Sequence, residues 1–282
     1  VRGRSTVLDE MRRYPLSIAA CAACLESIRA AGFDVAELEG EWLLCAVARS
    51  CFDPKGVEMV IGAGVEATDA TLFCAAMNPS PEVMRFLLKT GLNVNARDQG
   101  LTTPFFRAAS FNTNPEVLRL LIEAGAEVDI RDDDGDTPLH QAAFGNNDGP
   151  RIVAFLLELG MDPDARNSFG ETPLTTACRY LTPPEKASRI VRALIEAGAD
   201  VDAVDSNGNT ALHIAVSDIR AGVQSNAQLK IIRMLLANAI LGAALTRLRT
   251  VTQFNALLRR AAALAGLSST RWTAHCARSG WA

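Results

Sequence analysis

One pattern, written four times, restricts what this chain can become. Each copy opens on Asp or Asn, makes a turn, and then reads Thr-Pro-Leu or a close variant. The first copy runs from Asp98 to Phe106 and ends Thr103-Pro104-Phe105-Phe106. The second runs from Asp132 to His140, with Gly135 ahead of Thr137-Pro138-Leu139-His140. In the third, Asn167 and Gly170 precede Thr172-Pro173-Leu174-Thr175, and in the fourth, Asp205 and Gly208 precede Thr210-Ala211-Leu212-His213. Positions 104, 138, 173 and 211 lie 34, 35 and 38 residues apart. A unit of that size cannot bury an apolar face alone, so repeated copies must stack on one another.

Each residue type in the pattern has a physical reason. An Asp or Asn side chain bonds the backbone ahead of it and so opens a turn. Glycine supplies the positive φ that other residues resist. Threonine caps the following helix, typically contributing about 1 kcal/mol relative to alanine. Proline fits the first helical position because that N–H has no helical partner. Small residues follow, as in Ala108-Ala109, Ala142-Ala143, Ala177-Cys178 and Ala215-Val216, and let a second helix approach closely. That second helix is apolar at helical spacing: Val117, Leu118, Leu120 and Leu121; Ile152, Val153, Leu156 and Leu157; Ile190, Val191, Leu194 and Ile195; Ile231, Ile232, Leu235 and Leu236. Gly125, Gly160 and Gly198 close three of these helices, where a left-handed cap is expected.

Weaker copies precede these. Ala70-Thr71-Leu72-Phe73 leads to Phe86-Leu87-Leu88 and Gly91, Leu43-Leu44-Cys45 leads to Met59-Val60-Ile61 and Gly64, and Tyr14-Pro15-Leu16 leads to Leu25, Ile28 and Gly32. The reading is therefore seven units, four clear over residues 97–238 and three degenerate over 12–96. Between paired helices the chain lengthens at Arg179–Ser188 and Ser217–Gln228, which predicts two long loops.

The turn, the Thr-Pro-Leu-His tetrapeptide, the paired small residues and the Leu-Leu-x-x-Gly ending together resemble the ankyrin repeat, and the resemblance spans nearly all of residues 12–238. It implies an all-α solenoid of helix-turn-helix units with β-turn fingers. It also implies a protein-protein interaction scaffold or adaptor that binds through its fingertips and first helices, with no catalytic residues and no cofactor. The family's variable positions fall here on Gln99, Leu101, Asp133, Asp134, Asp136, Gln141, Ser168, Phe169, Glu171, Thr176, Arg179, Ser206, Asn207, Asn209 and Ile214. Phe169 is the expected anchor, since aromatics dominate interface energetics. The acids around it predict a partner with a basic patch. Leu101 stands where the other fingers have glycine, with Gly100 one place early, so a distorted first finger is expected. The alternative reading is an ankyrin module of a larger enzyme or secreted effector whose active domain lies elsewhere; the chain opens on Val1 and ends abruptly, which supports it.

Composition adds a boundary and several exclusions. All 32 Asp and Glu precede residue 239, against 22 Lys and Arg there, a net of −10; the 44 residues 239–282 hold six Arg and no acid. This marks 239–282 as a separate basic, Ala/Leu/Arg-rich cap or tail, in which Phe254, Leu257, Leu258, Ala261 and Leu264 form an apolar stripe. A capping role is favoured over nucleic-acid binding. No apolar run reaches the roughly 18 residues of a membrane span. The seven cysteines are odd in number and follow no framework spacing, so reduced thiols in the cytoplasm, or in a host cytosol, are expected. A monomer is expected. His140 and His213 read as structural partners of the motif threonine, and Cys21-Ala22-Ala23-Cys24 as buried thiols rather than zinc or redox chemistry. The lipoprotein-like Ile18-Ala19-Ala20-Cys21 is discounted because Asp9 and Glu10 precede it, and Asp132-Asp133-Asp134 lacks the spacing of a calcium loop. His275 and Cys276 are too few for a zinc site.

Overall fold

A computed structural model describes residues 17–30, 40–145, 149–180, 184–220 and 226–246. The described residues form thirteen helices, joined by one isolated bridge between Val204 and Thr210. They are α1 (Ile18–Ala30), α2 (Gly40–Ser50), α3 (Pro54–Gly62), α4 (Asp69–Ala75), α5 (Pro81–Leu88), α6 (Pro104–Phe111), α7 (Pro115–Glu123), α8 (Pro138–Gly145), α9 (Gly149–Glu158), α10 (Pro173–Arg179), α11 (Pro184–Glu196), α12 (Ala211–Arg220) and α13 (Asn226–Thr246). From α2 onward they come as pairs, the build of an all-helical repeat solenoid.

The chain divides into two compact units, Val1–Ala142 with Asn146–Leu159, and Ala143–Gly145 with Gly160–Ala282. In the first, α2, α4 and α6 pack side by side as one row, while α1, α3, α5, α7 and α9 form a second. In the second unit α10 lies beside α12, and α11 beside α13. The interior of the first holds Leu44, Leu72, Met84, Leu87, Phe105, Leu118 and Leu121, and that of the second Leu174 and Leu194, all essentially without solvent exposure. Each such side chain contributes about 1.5–3 kcal/mol by leaving water.

The motif residues do what their chemistry predicts. Thr103 Oγ1 accepts the Phe106 N–H at 3.3 Å and Thr172 Oγ1 that of Thr175 at 3.3 Å, each ahead of a proline that opens the helix. Thr137 donates its N–H to His140 Nδ1 at 3.2 Å and sets its hydroxyl 2.8 Å from the same nitrogen. That nitrogen accepts the amide, so the hydroxyl also donates to it and the ring proton sits on Nε2. Thr210 and His213 repeat the arrangement at 3.4 and 2.8 Å. In the third copy Thr175 replaces histidine, and its hydroxyl accepts the Thr172 N–H at 2.7 Å. Gly125, Gly160 and Gly198 take φ of 91°, 85° and 92°, the left-handed cap.

Two buried asparagines join neighbouring repeats of the first unit. Asn78 Nδ2 donates to the carbonyls of Ala48 at 2.8 Å and Cys51 at 2.6 Å, while its Oδ1 accepts the Ser80 N–H at 2.9 Å. Asn112 repeats this one unit later, donating to the carbonyls of Ala76 at 2.7 Å and Asn78 at 2.8 Å and accepting the Asn114 N–H at 2.8 Å. Both side chains are fully buried. The loop joining each helix pair thus hangs on the loop before it.

Residues 18–30 form one helix packed on α3, and residues 12–16 and 31–39 of the first degenerate unit lie outside the described residues. The fold departs from the sequence reading at the insertions and at the first finger. The insertions lengthen helices as well as loops. α11 begins at Pro184 and α12 extends to Arg220, inside the segments read as loop. α13 runs to Thr246, so the change of composition at 239 falls within a helix. The first finger is not distorted: Leu101 itself adopts φ 60°, and its N–H bonds the Asp98 carbonyl at 3.1 Å, as Gly135 bonds Asp132 at 3.0 Å. The apolar stripe at 254–264, and His275 with Cys276, lie outside the described residues.

Candidate functional site

The four fingers share one internal scaffold. In each, the opening side chain points its Oδ1 at two amides, two and four residues ahead. Asp98 accepts from Gly100 at 3.0 Å and Thr102 at 2.9 Å. Asp132 accepts from Asp134 at 3.1 Å and Asp136 at 2.8 Å. Asn167 accepts from Phe169 at 3.0 Å and Glu171 at 2.9 Å, and Asp205 from Asn207 at 2.9 Å and Asn209 at 2.8 Å. The same residue's N–H bonds the carbonyl four ahead in every finger, at 2.9 to 3.1 Å. The opening side chain thus braces each turn through bonds that the exposed tip side chains do not make.

Adjacent fingers join within each unit. In the first, the Asp133 N–H reaches the Gly100 carbonyl at 3.3 Å. In the second, the Ser206 N–H reaches the Phe169 carbonyl at 3.0 Å, in the same register. Gly170 is packed so closely there that a Cβ would stand 2.8 Å from Ser206 Oγ and 2.9 Å from its nitrogen.

The second carboxylate oxygen ties finger to helix. Asp98 Oδ2 accepts from Thr102 Oγ1 and from Arg107 of α6, both at 2.7 Å. Gln141 of α8 donates to Asp136 Oδ2 at 3.0 Å and more distantly to Asp132. In the second unit Arg179, at the end of α10, spans two fingers: Nη2 lies 2.6 Å from Glu171 Oε1 and 3.0 Å from Asp205 Oδ2.

These environments move the carboxyl groups in opposite directions. Burial opposes ionisation of Asp98, but hydrogen bonds from the Thr102 hydroxyl and amide and from Arg107 outweigh it, and its pKa falls below the ordinary value. Burial likewise opposes ionisation of Asp205, and the amides of Asn209 and Asn207, the Asn209 side chain and Arg179 reverse it. Asp132 goes the other way: burial raises it, and the charges of Asp136, Asp134 and Asp133 reinforce burial against the Asp136 amide. Asp202 is raised by burial and by Asp200.

The expected surface residues separate into three groups. Gln99, Leu101, Asp133 and Asp134 in the first unit, and Ser168, Phe169, Ser206 and Asn207 in the second, are exposed; Phe169, at 56%, is the most exposed large apolar side chain described. Asp136, Gln141, Glu171, Arg179 and Asn209 are half-buried and bonded within the finger scaffold. Thr176 and Ile214 are buried, at 3% and 5% exposure, and do not belong to the surface. They occupy the helix position of Arg107 and Gln141 but face inward, where small and apolar side chains fill the packing that polar ones avoid. Sequence reasoning passed over Arg107, although it stands at that same helix position, four residues after the motif threonine. It also missed the aromatic ends of the first helices. Phe111 is half-exposed with Arg107 5.8 Å above its ring, and exposed Phe144 and Tyr180 pack with centroids 4.2 Å apart. Aromatic residues at or next to the last place of a helix, in three successive copies, were the available signal.

Among the described residues no helix is long and apolar enough to cross a membrane, and no cluster of three His, Cys, Asp or Glu side chains is placed to hold a metal. The family model for ankyrin repeats, three copies long, matches in overlapping placements over residues 43–132, 72–166, 105–205 and 139–247. A search of curated proteins gave no match. The chain belongs to the ankyrin-repeat family. Ankyrin repeats are in general protein-protein interaction modules, and proteins built from them are typically non-enzymatic scaffolds.

Proposed function

We propose that this chain is a binding scaffold or adaptor that holds a protein partner on its finger tips and on the exposed faces of its first helices. The observation that carries the reading is the division of labour inside the fingers. Asp98, Asp132, Asn167 and Asp205 take the structural bonds, which leaves Gln99, Leu101, Asp133, Asp134, Ser168, Phe169, Ser206 and Asn207 exposed on a fixed backbone. Preorganised contact residues bind without an ordering penalty. Asp136, Gln141, Glu171, Arg179 and Asn209 support them from behind. In the first unit the exposed carboxylates suit a partner with a basic patch; in the second, Phe169 is the anchor. The reduced cysteines suit a cytoplasmic setting.

The test compares the intact chain with Asp133→Ala/Asp134→Ala and with Phe169→Ala in capture from a cell lysate. Glu171 is left intact because Arg179 depends on it. Both variants must match the parent by circular dichroism. A protein recovered by the parent and lost with either variant supports the reading and names the partner. Recovery of the same species by all three, or none by the parent, overturns the finger assignment.

A further inference from the structure

The fourth finger carries a reactive dipeptide at its tip. Asn207-Gly208 is the one place in the sequence where glycine follows asparagine. Glycine has no Cβ to shield its backbone nitrogen, so that nitrogen can approach the carboxamide of the residue before it. Asn78, Asn112 and Asn167 commit their side chains to backbone groups. Asn207 is exposed, and its hydrogen bond, from the backbone N–H to Asp205 Oδ1 at 2.9 Å, leaves the carboxamide free among the described residues. The neighbouring finger covers Gly170, where a Cβ would stand 2.8 Å from Ser206 Oγ. Around Gly208, at the same place one finger later, no described atom beyond the chain neighbours lies within 4 Å of such a Cβ.

We propose that Asn207 is a deamidation site, converted by water through a succinimide and timed by opening of the fourth finger. The inference does not depend on what the fingers bind. The Gly208 N–H that must react is bonded to the Asp205 carbonyl at 2.9 Å, so the closed turn withholds the nucleophile. Asp205 also holds the amides of Asn207 and Asn209, and Arg179 in turn holds Asp205. Release of this one anchor frees the reacting nitrogen. The product fits the turn, because the second finger already bears aspartate at the equivalent place. There the Asp134 N–H reaches Asp132 Oδ1 at 3.1 Å and the Gly135 N–H reaches the Asp132 carbonyl at 3.0 Å. Gly135 takes φ 75° and Gly208 φ 76°.

In the first step the Gly208 nitrogen gives its proton to solvent and attacks Asn207 Cγ. The new C–N bond closes the succinimide ring, the Cγ–Nδ2 bond breaks, and the leaving nitrogen takes up a proton and departs as ammonia. In the second, water opens the ring. Addition at Cγ gives aspartate with the main chain unchanged. Addition at the main-chain carbonyl carbon gives isoaspartate, whose backbone runs through Cγ and lengthens the turn that the Asp205 N–H closes on the Asn209 carbonyl at 2.9 Å. By either route one water is consumed, one ammonia is released, nothing is oxidised or reduced, and the fingertip gains a carboxylate.

The experiment incubates the native chain at neutral pH and body temperature beside the same chain unfolded in guanidinium chloride. Samples taken over time are digested under mildly acidic conditions and mapped by mass spectrometry, while circular dichroism follows the native sample. Asn207 should convert to aspartate and isoaspartate ahead of every other asparagine in both samples. In the folded chain it should react on the order of tenfold more slowly, the factor supplied by a backbone bond on the reacting nitrogen. Asp205→Ala, which removes the anchor side chain, should bring the folded rate toward the unfolded one. The comparison within the unaltered chain needs no variant to fold. Conversion of another asparagine first, equal rates in the two samples, or a folded chain still unmodified once the unfolded one has reacted fully would overturn the proposal.

Discussion

Replacing Asn112 by alanine tests whether the buried asparagine ladder holds the first unit together. The side chain is wholly buried and makes three bonds, to the carbonyls of Ala76 and Asn78 and from the N–H of Asn114. Alanine removes all three partners at once and leaves two carbonyls and one amide stranded away from water. An orphaned buried polar group costs about 1–3 kcal/mol, with carbonyls at the lower end. The sum is about 3–5 kcal/mol, set against the 5–15 kcal/mol that holds a typical domain together. Asn112→Asp is the sharper variant: it keeps the shape and the acceptor for Asn114, but turns an acceptor toward two carbonyls. It should cost at least as much as alanine at neutral pH and recover part of the loss when protonated. The assay is urea unfolding followed by circular dichroism, with amide exchange at Asn114 and Ser80. Asn112 bonds the carbonyl of Asn78, so the double variant with Asn78→Ala should be non-additive. A cost below about 1 kcal/mol for Asn112→Ala would refute the reasoning, because it would mean that water or neighbouring groups satisfy the loop without the side chain.

Four further outcomes follow from the fingers. In thermal melting, Asp205→Asn should cost about 1.5–3 kcal/mol, the worth of a charge-assisted bond lost from Arg179. Asp132→Asn should be neutral or slightly stabilising in the same thermal melt, since Asn167 fills the equivalent place and crowding already disfavours the Asp132 charge. In pH-dependent melting, Asp98 and Asp205 have lowered folded-state values, so their contribution is present above the ordinary carboxylate range and lost as pH falls through the folded values. Asp132 and Asp202 are raised, so ionisation costs stability that returns as pH falls through their folded values; a plateau or shallow gain on acidification should precede the steep loss, and Asp205→Asn should remove part of that loss. Gly208→Ala, at φ 76° with open space around it, should cost about the 1–2 kcal/mol of a left-handed alanine. Gly170→Ala should cost clearly more, because its Cβ also meets Ser206 at 2.8 Å; equal losses in chemical denaturation would contradict the close approach of the two fingers.

The array was legible because its signals are local and repeat. Asp98, Gly135, Thr137 and Pro138 each act on backbone within a few residues, so spacing alone locates turn, cap and helix. The end of the array was less legible, because composition at 239 carries no information on helix continuity: α13 runs through that position to Thr246. At the candidate surface, sequence identified which places vary between copies but not which way they point. Thr176 and Ile214 occupy the place of Gln141 and are buried, because helix position fixes a direction and the packing of each repeat decides whether that direction meets solvent. The bonds of Arg107, Asn78 and Asn112 depend on partners 9 to 36 residues away, beyond the reach of any local motif.

The finger anchors have a consequence for how such a chain changes over generations. Three are Asp and one is Asn, and both residues present the same Oδ1 to the same two amides. The codons of Asp and Asn differ by a single base. One transition therefore removes or restores a full charge at the root of a finger while its amide bonds stay in place. A lineage can drift through several electrostatic versions of one surface without passing through an unfolded intermediate, and where the anchor's second oxygen is bound to arginine, as at Asp98 and Asp205, selection has a reason to resist.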